Sequence, residues 1–306
     1  MKLKKFITML AVTAMVAGLA VGCGNSDADT SAEGNTEEPA AEWDPSMDIT
    51  IVSREDGSGT RGAFIELFGI EVKDDAGEKI DMTTEEAQIT NSTSVMMTTV
   101  AGDEYAIGYV SLGSLDDSVK AVKIDGAEAT AENIKSGDYT VSRPFNIATK
   151  EDMDNAVAED FINFILSEEG QTVVSENGYI ALDDVTAFES TMPEGKAVVG
   201  GSSSVSPVME KLIEAYKAIN ANAEIELQTT DSTTGMTSTI DGSYDIGMAS
   251  RELKEEEIAE GLVGQVIATD GIAVIVNLDN PTEDMTVDQV NAIYVGDALT
   301  WDEVIE

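Results

Sequence analysis

Hydrophobic positions recur along this chain in two periods, and the switches between them mark its elements. Asp48-Ile49-Thr50-Ile51-Val52-Ser53 is a β-branched run that predicts a strand. It enters a polar, Gly-rich turn, Arg54-Glu55-Asp56-Gly57-Ser58-Gly59-Thr60-Arg61, and then a helix over Gly62–Phe68. Further strands are predicted at 105–110 and 119–124. Phe161, Ile162, Ile165 and Val173 give residues 160–174 one apolar face, with Gly178 just past the end, so a single amphipathic helix is expected. Residues 183–195 are polar and read as a connection. A second series follows: strand 196–200, a helix carrying Val208, Leu212, Ala215, Tyr216 and Ile219, strand 224–228, and a helix after Gly235. It closes with strand 244–249, the apolar strand Gly271–Asn277 and a helix over Thr286–Tyr294. Alternating strands and helices predict an α/β fold with mostly parallel sheets. Ligands of such folds sit beyond the carboxyl ends of the strands.

Three strand-to-helix junctions share one composition: Ser58-Gly59-Thr60, Ser203-Ser204 and Ser232-Thr233-Thr234-Gly235. Helix N-termini expose unpaired N–H groups and partial positive charge, hydroxyls add donors, and Gly admits close approach of an anion. Plain N-capping explains any one of them as well. Three together, with Arg54 and Arg61 flanking one turn, favour an oxyanion site, because a guanidinium holds an oxyanion by paired hydrogen bonds.

Composition narrows the chemistry. The 306 residues carry a formal charge of −42, with no His and one Cys. No internal disulfide can form, and Ser-His or Cys-His catalytic pairs and His-ligated metals are excluded. Clustered Lys and Arg for a phosphodiester backbone are missing, so nucleic acid is not an expected partner. Asp27-Ala28-Asp29 and Asp74-Asp75 lack the spacing of a calcium loop and read as solvated charge. No metal or cofactor is expected, and an enzyme is poorly supported.

The N-terminus reads as an address. Lys2, Lys4 and Lys5 precede an uncharged apolar run, Phe6 to Val21, which is short for a membrane span. Ala20-Val21-Gly22-Cys23 resembles a bacterial lipobox, so residues 1–22 are expected to be a signal peptide and Cys23 the lipidated first residue of the mature chain. Residues 23–47 are acidic and rich in small residues, and are expected to form a disordered tether. The folded domain is expected over 48–306.

Segments over nearly all of that domain resemble the periplasmic-type phosphate-binding proteins of Pst-type ABC transporters. They are SREDGSGTR (53–61), AIGYVSLG (106–113), KIDGAEATAENIKSGDY (123–139), RPF (143–145), GSSSVSP (201–207), DIGMASRELK (245–254), DGIAVIVNLDNP (270–281) and IYVGDALTWDEV (293–304). Their order departs from the family, in which segments like 196–306 come first and segments like 48–190 follow. The chain therefore looks circularly permuted, with a truncated tandem of two copies as the rival explanation. The resemblance implies the two-lobed type II periplasmic-binding-protein fold, α/β, in permuted order. One lobe is expected at about 142–277, the other at about 48–141 plus 278–306, with crossings near 141–148 and 272–277.

Carried over residue by residue, the resemblance implies a phosphate site at Arg54, Ser58, Gly59, Thr60, Ser203, Ser204, Ser232 and Ser250. Asp56 matches an acid that orients the arginine, and Arg61 and Arg251 are further candidates. Better-studied members place Asp where this chain has Ser250, which puts selectivity for phosphate over sulfate in question. Arg251 reads equally well as a salt bridge to the acidic run 252–257. The implied function is a lipid-anchored, extracytoplasmic, monomeric protein that captures inorganic phosphate and delivers it to an ABC permease. A binding protein for another oxyanion and a phosphate sensor without a transport role are the alternatives.

Overall fold

The computed structural model describes residues 43–305 apart from residue 75. The signal-peptide and lipidation readings, including Cys23, lie outside the described residues. The first part contains β1 (Thr50–Arg54), α1 (Gly59–Leu67), β2 (Glu71–Lys73), β3 (Lys79–Asp81), β4 (Gln88–Thr90), α2 (Thr93–Ala101) and β5 (Ala106–Ser111). A short 3-10 turn (Leu112–Ser114), β6 (Lys120–Ala121), β7 (Lys123–Ile124), α3 (Ala131–Ser136) and β8 (Ser142–Lys150) come next. Then come α4 (Ala156–Ile165), α5 (Glu168–Glu176), β9 (Gly195–Ser202), α6 (Ser206–Ile219), β10 (Ala223–Thr230), α7 (Ser232–Ile240) and β11 (Ile246–Ala249). The chain closes with α8 (Glu255–Ala259), β12 (Leu262–Val276), β13 (Asp284–Met285) and α9 (Val287–Val295).

One curled mixed sheet runs in the order β10-β9-β11-β8-β12-β5-β1-β4, with β6 also on β12. Its two ends are parallel: β10, β9 and β11 at one, β5, β1 and β4 at the other. Between them β8 and β12 run antiparallel to each other. The apolar side chains split into two main cores along this sheet. One holds Phe145, Ile147, Phe161, Val199, Leu212, Ile267 and Ala268. The other holds Val52, Phe64, Tyr109, Val141, Ile272 to Val276, Ile293 and Trp301. These are the two lobes, and β8 and β12 carry the chain between them.

The second crossing lies earlier than the sequence predicts. Ile272–Val276 pair with β5 and join the core of the lobe that contains β1, so the crossing falls at Thr269–Gly271. The two cores accordingly draw on about 142–271 and on 43–141 plus 272–305. The apolar run that predicts a strand at 271–277 is the buried half of a 15-residue strand whose other half is amphipathic. The helix expected over 160–174 is two helices. Ser167 breaks it, donating to the Phe164 carbonyl at 2.7 Å and accepting from the Gly170 N–H at 3.2 Å as the cap of α5. The connection 183–194 has no regular structure but is tied down at Asp160. That carboxylate accepts from Ser190 Oγ, Thr191 N and Tyr216 Oη at 2.7–2.8 Å. Burial pushes its pKa up, but these hydrogen bonds outweigh it and hold the group below the usual range.

Trp43, ahead of Asp48, already packs on the folded body. The Trp43 ring stacks on Tyr105 at 5.6 Å and meets Trp301 edge-on at 5.9 Å. Residues 43–47 thus belong to the folded body and not to a tether. The last residues close on the same place: Ile49 N donates to Leu299 O at 2.8 Å, and Asp302 N to Pro45 O at 2.7 Å. Trp301 is fully buried and its Nε1 donates to Tyr105 O at 3.1 Å. Trp301→Ala should lower unfolding stability by about 3–5 kcal/mol, the usual cost of emptying a large aromatic site. Urea unfolding checks this, and a loss below about 1 kcal/mol would contradict the described packing.

Candidate functional site

Parallel strands bring their carboxyl ends together, and that registry builds the site. In one lobe Arg54 at the end of β1 stands opposite Thr90 at the end of β4. The turns leaving those strands, Ser58-Gly59-Thr60 and Ser92-Thr93, begin α1 and α2 side by side. Ser58 caps α1 by accepting from Arg61 N, and Ser92 caps α2 by accepting from Val95 N. In the other lobe Ser202 ends β9 opposite Thr230 of β10, while Met248 of β11 pairs with Gly201. Ser203-Ser204, Ser232 and Ser250 emerge there together. Gly201 has φ +136°, and any Cβ would collide with the Met248 carbonyl, so only glycine lets β9 turn this way.

The two groups of hydroxyls meet. Thr60 Oγ1 lies 2.7 Å from Ser204 Oγ and 3.5 Å from Ser250 Oγ. Ser202 Oγ donates to Ser250 Oγ at 2.9 Å, and Ser250 N donates to Ser232 Oγ at 3.1 Å. Arg54, only 2% exposed, donates from Nη2 to Ser203 Oγ at 3.1 Å and from Nη1 to Thr93 Oγ1 at 3.4 Å. Ser58, Thr60, Thr93, Ser203, Ser204, Ser232 and Ser250 are all buried. One guanidinium therefore sits inside a shell of hydroxyls drawn from both lobes, with the first turns of α1, α2 and α7 around it. Such a shell suits a small anion rich in oxygen acceptors.

Most sequence-predicted residues converge here, and three do not. Asp56 does not orient Arg54. Glu55 does, taking Arg54 Nε and Nη2 on its two carboxylate oxygens at 2.8 Å each. Asp56 instead pairs with Arg61 at 2.9 Å. Arg61 points away from the hydroxyls: it grips Asp81 at 2.8 Å and donates to the Arg54 carbonyl at 2.7 Å, which locks the turn. Arg251 takes the salt-bridge alternative, donating to both carboxylate oxygens of Glu257 at 2.7 and 2.9 Å. Its stem still lines the site, since a Cβ on Gly59 would lie 3.1 Å from Arg251 Cγ. Thr93 is the member that sequence reasoning missed. Its signal was Asn91-Ser92-Thr93-Ser94, a hydroxyl-rich junction of the same composition as the others.

Behind the arginine, Tyr109 Oη accepts from Arg54 N at 3.1 Å and shares a hydrogen with Ser53 Oγ at 2.9 Å. Burial pushes the Tyr109 phenol up to about 12, so it stays neutral. Among the described residues no group of three or more His, Cys, Asp or Glu is placed to hold a metal ion.

A family model described as a PBP superfamily domain matches residues 12–169 and 186–305. A phosphate-binding protein PstS 2 of Streptococcus agalactiae is 52% identical over 305 residues, 99% of each chain. The chain belongs to the PstS-type phosphate-binding proteins. A PstS 2 of Streptococcus pneumoniae is 42% identical over 305 residues, 99% of this chain and all of that one. A crystal structure of a phosphate-binding protein of a phosphate ABC transporter from Streptococcus pneumoniae superposes with a TM-score of 0.66 at 43% identity. It covers 85% of this chain and all of its own. The PstS-type family thus supplies relatives that match this chain end to end in the same order. Their names describe binding proteins and no catalyst.

Proposed function

We propose that the chain captures inorganic phosphate between its two lobes and hands it to an ABC permease. The observation that carries this reading is the buried Arg54 guanidinium, enclosed by hydroxyls that belong to both lobes. Arg54 supplies the charge-assisted contact. Ser58, Thr60, Thr93, Ser203, Ser204, Ser232 and Ser250 supply hydroxyls, and the N–H groups at Gly59 and its neighbours supply the helix N-terminus. Asp56, Arg61 and Arg251 act outside the shell, as turn locks and wall. Cys23 is the proposed lipid anchor, which holds a monomeric domain at the extracytoplasmic face of the membrane. No cofactor is involved.

The order of segments is read as a circular permutation. The contacts between residues 45–49 and 299–302 support it, because they lay two segments far apart in sequence along one seam. A seam at the surface is where a fold tolerates new termini.

A second reading, capture of another oxyanion, rests on Ser250. A carboxylate there would accept a proton from phosphate and repel sulfate, whereas a hydroxyl can donate to either and accept from one. Calorimetric titration of the chain from Gly24 onward, stripped of bound ligand by partial unfolding, separates the two. Saturable 1:1 binding of phosphate and arsenate with sulfate at least about a hundredfold weaker supports the first reading, a gap that one matched hydrogen bond can supply. Equal binding of sulfate supports the second. A well-folded sample that binds none of the three overturns both.

A further inference from the structure

A second buried cation lies in the strands that join the lobes. Arg143 on β8 and Asp270 on β12 are cross-strand partners in the antiparallel pair. Their side chains are 2% and 1% exposed, and Arg143 Nη2 meets Asp270 Oδ2 at 3.1 Å. That single hydrogen bond is the whole of the ion pair. Arg143 Nε and Nη1 find no partner among the described residues, nor do the nearby hydroxyls of Ser111, Ser114 and Tyr179. The guanidinium carbon stands 5.4 Å from the centre of the Phe145 ring. So two of the Arg143 nitrogens stay unpaired in a buried setting, where charge acts over long range once Asp270 no longer cancels it. In the sheet β5 alone separates the strand of Asp270 from β1, which ends at Arg54, and Ile272 just past Asp270 pairs with Ser111 of β5.

The charge inside the hydroxyl shell is otherwise small. Glu55 binds Arg54 through both carboxylate oxygens, and their formal charges cancel. A dianion in that shell gains short hydrogen bonds from Arg54 but little net charge from the Arg54–Glu55 pair. From this geometry we infer that Arg143 is a positioning residue for anion capture, a second cation whose field reaches the hydroxyl shell and whose strength is set by the ionisation of Asp270. The inference rests on the oxyanion reading above.

The groups facing Asp270 support the direction of the effect. They are Arg143 from β8, the Ser111 hydroxyl at the end of β5, the Gly113 N–H at 3.4 Å from the turn after it, and the Tyr179 phenol from beyond α5. On α3, packed against β12, the charged residues are Glu132 and Lys135, and Lys135 lies 3.9 Å from Asp183 at the surface. Burial raises the Asp270 carboxyl to about 6 despite Arg143. Burial lowers Arg143 to about 10, which leaves it cationic at neutral pH. Above pH about 6 Asp270 therefore masks Arg143, and below it the mask is protonated away.

The test is phosphate titration of wild type and Asp270→Asn between pH 5.5 and 8, read as the ratio of their dissociation constants. The ratio removes the titration of phosphate itself. Asp270→Asn should bind about three- to tenfold more tightly at pH 8, and the two proteins should converge below pH 6. Removing one partner of a buried pair can unfold a protein, so the double variant Arg143→Met/Asp270→Asn is measured beside it, with thermal unfolding of each. The double variant should bind more weakly than Asp270→Asn at every pH, and Arg143→Lys/Asp270→Asn should recover part of the loss. A ratio that stays constant with pH, or a double variant equal to Asp270→Asn, overturns the inference while leaving phosphate capture intact. Wild type that binds no phosphate overturns both.

Discussion

Arg54→Ala should weaken phosphate binding by about a hundredfold or more, while Asp302→Ala leaves it unchanged. Two effects add in the arginine variant. The anion loses the guanidinium that reaches Ser203 and Thr93 inside the shell. It also meets Glu55, whose carboxylate then has no counterion and lies against the site. Arg54→Lys tells these apart, since an ammonium keeps the charge but cannot span both carboxylate oxygens and the hydroxyls. It should retain binding about tenfold weaker than wild type. Asp302 is exposed and its carboxylate accepts from Thr300 Oγ1 at 2.6 Å, remote from the hydroxyls. Isothermal titration of the three variants checks the assignment, and equal losses in Arg54→Ala and Asp302→Ala would refute it.

Gly59→Val should abolish tight binding with little change in the stability of either lobe. A Cβ at residue 59 would stand 2.5 Å from Ser232 Oγ and 2.8 Å from Ser250 Oγ, both from the opposite lobe. Those hydroxyls cannot simply turn aside, because Ser232 Oγ holds Ser250 N and Ser250 Oγ holds Ser202 Oγ. The lobes must part instead, and the hydroxyls of one side leave those of the other. The variant should bind phosphate more than about a hundredfold more weakly, as expected when half of the hydrogen-bonding groups are withdrawn. Its radius of gyration by small-angle scattering should rise, and its urea midpoint should stay near wild type. Undiminished binding would mean that the lobes do not meet at Gly59.

The hydroxyl shell was legible because its chemistry is local. Ser-Gly-Thr, Ser-Ser and Ser-Thr-Thr-Gly each sit at the switch from a β-branched run to a helical period. Position beyond the carboxyl end of a parallel strand then follows from the fold class. Thr93 escaped because β4, the strand that delivers it, has only three residues and an exposed face, so no period announces it. Glu55 and Asp56 are adjacent carboxylates, and which of them turns back to Arg54 depends on the dihedral angles of the turn rather than on residue type. The break at Ser167 hid inside a sound apolar period, since α4 and α5 keep their faces on one core across it. The length of β12 was hidden for the opposite reason. Its buried half faces core on both sides and reads as apolar, while its other half, toward Leu262, has one wet face.

The seam between residues 45–49 and 299–302 has a consequence for how the protein is made. One lobe is a continuous stretch and can fold as soon as it emerges. The other is assembled from the first and last parts of the chain, so β1 and β5 must wait for β12 and Trp301. A chain threaded through a membrane from its N-terminus would present that unfinished sheet for most of the crossing. The charge of −42 then gains a second use, because mutual repulsion keeps such half-made surfaces apart until the last residues arrive.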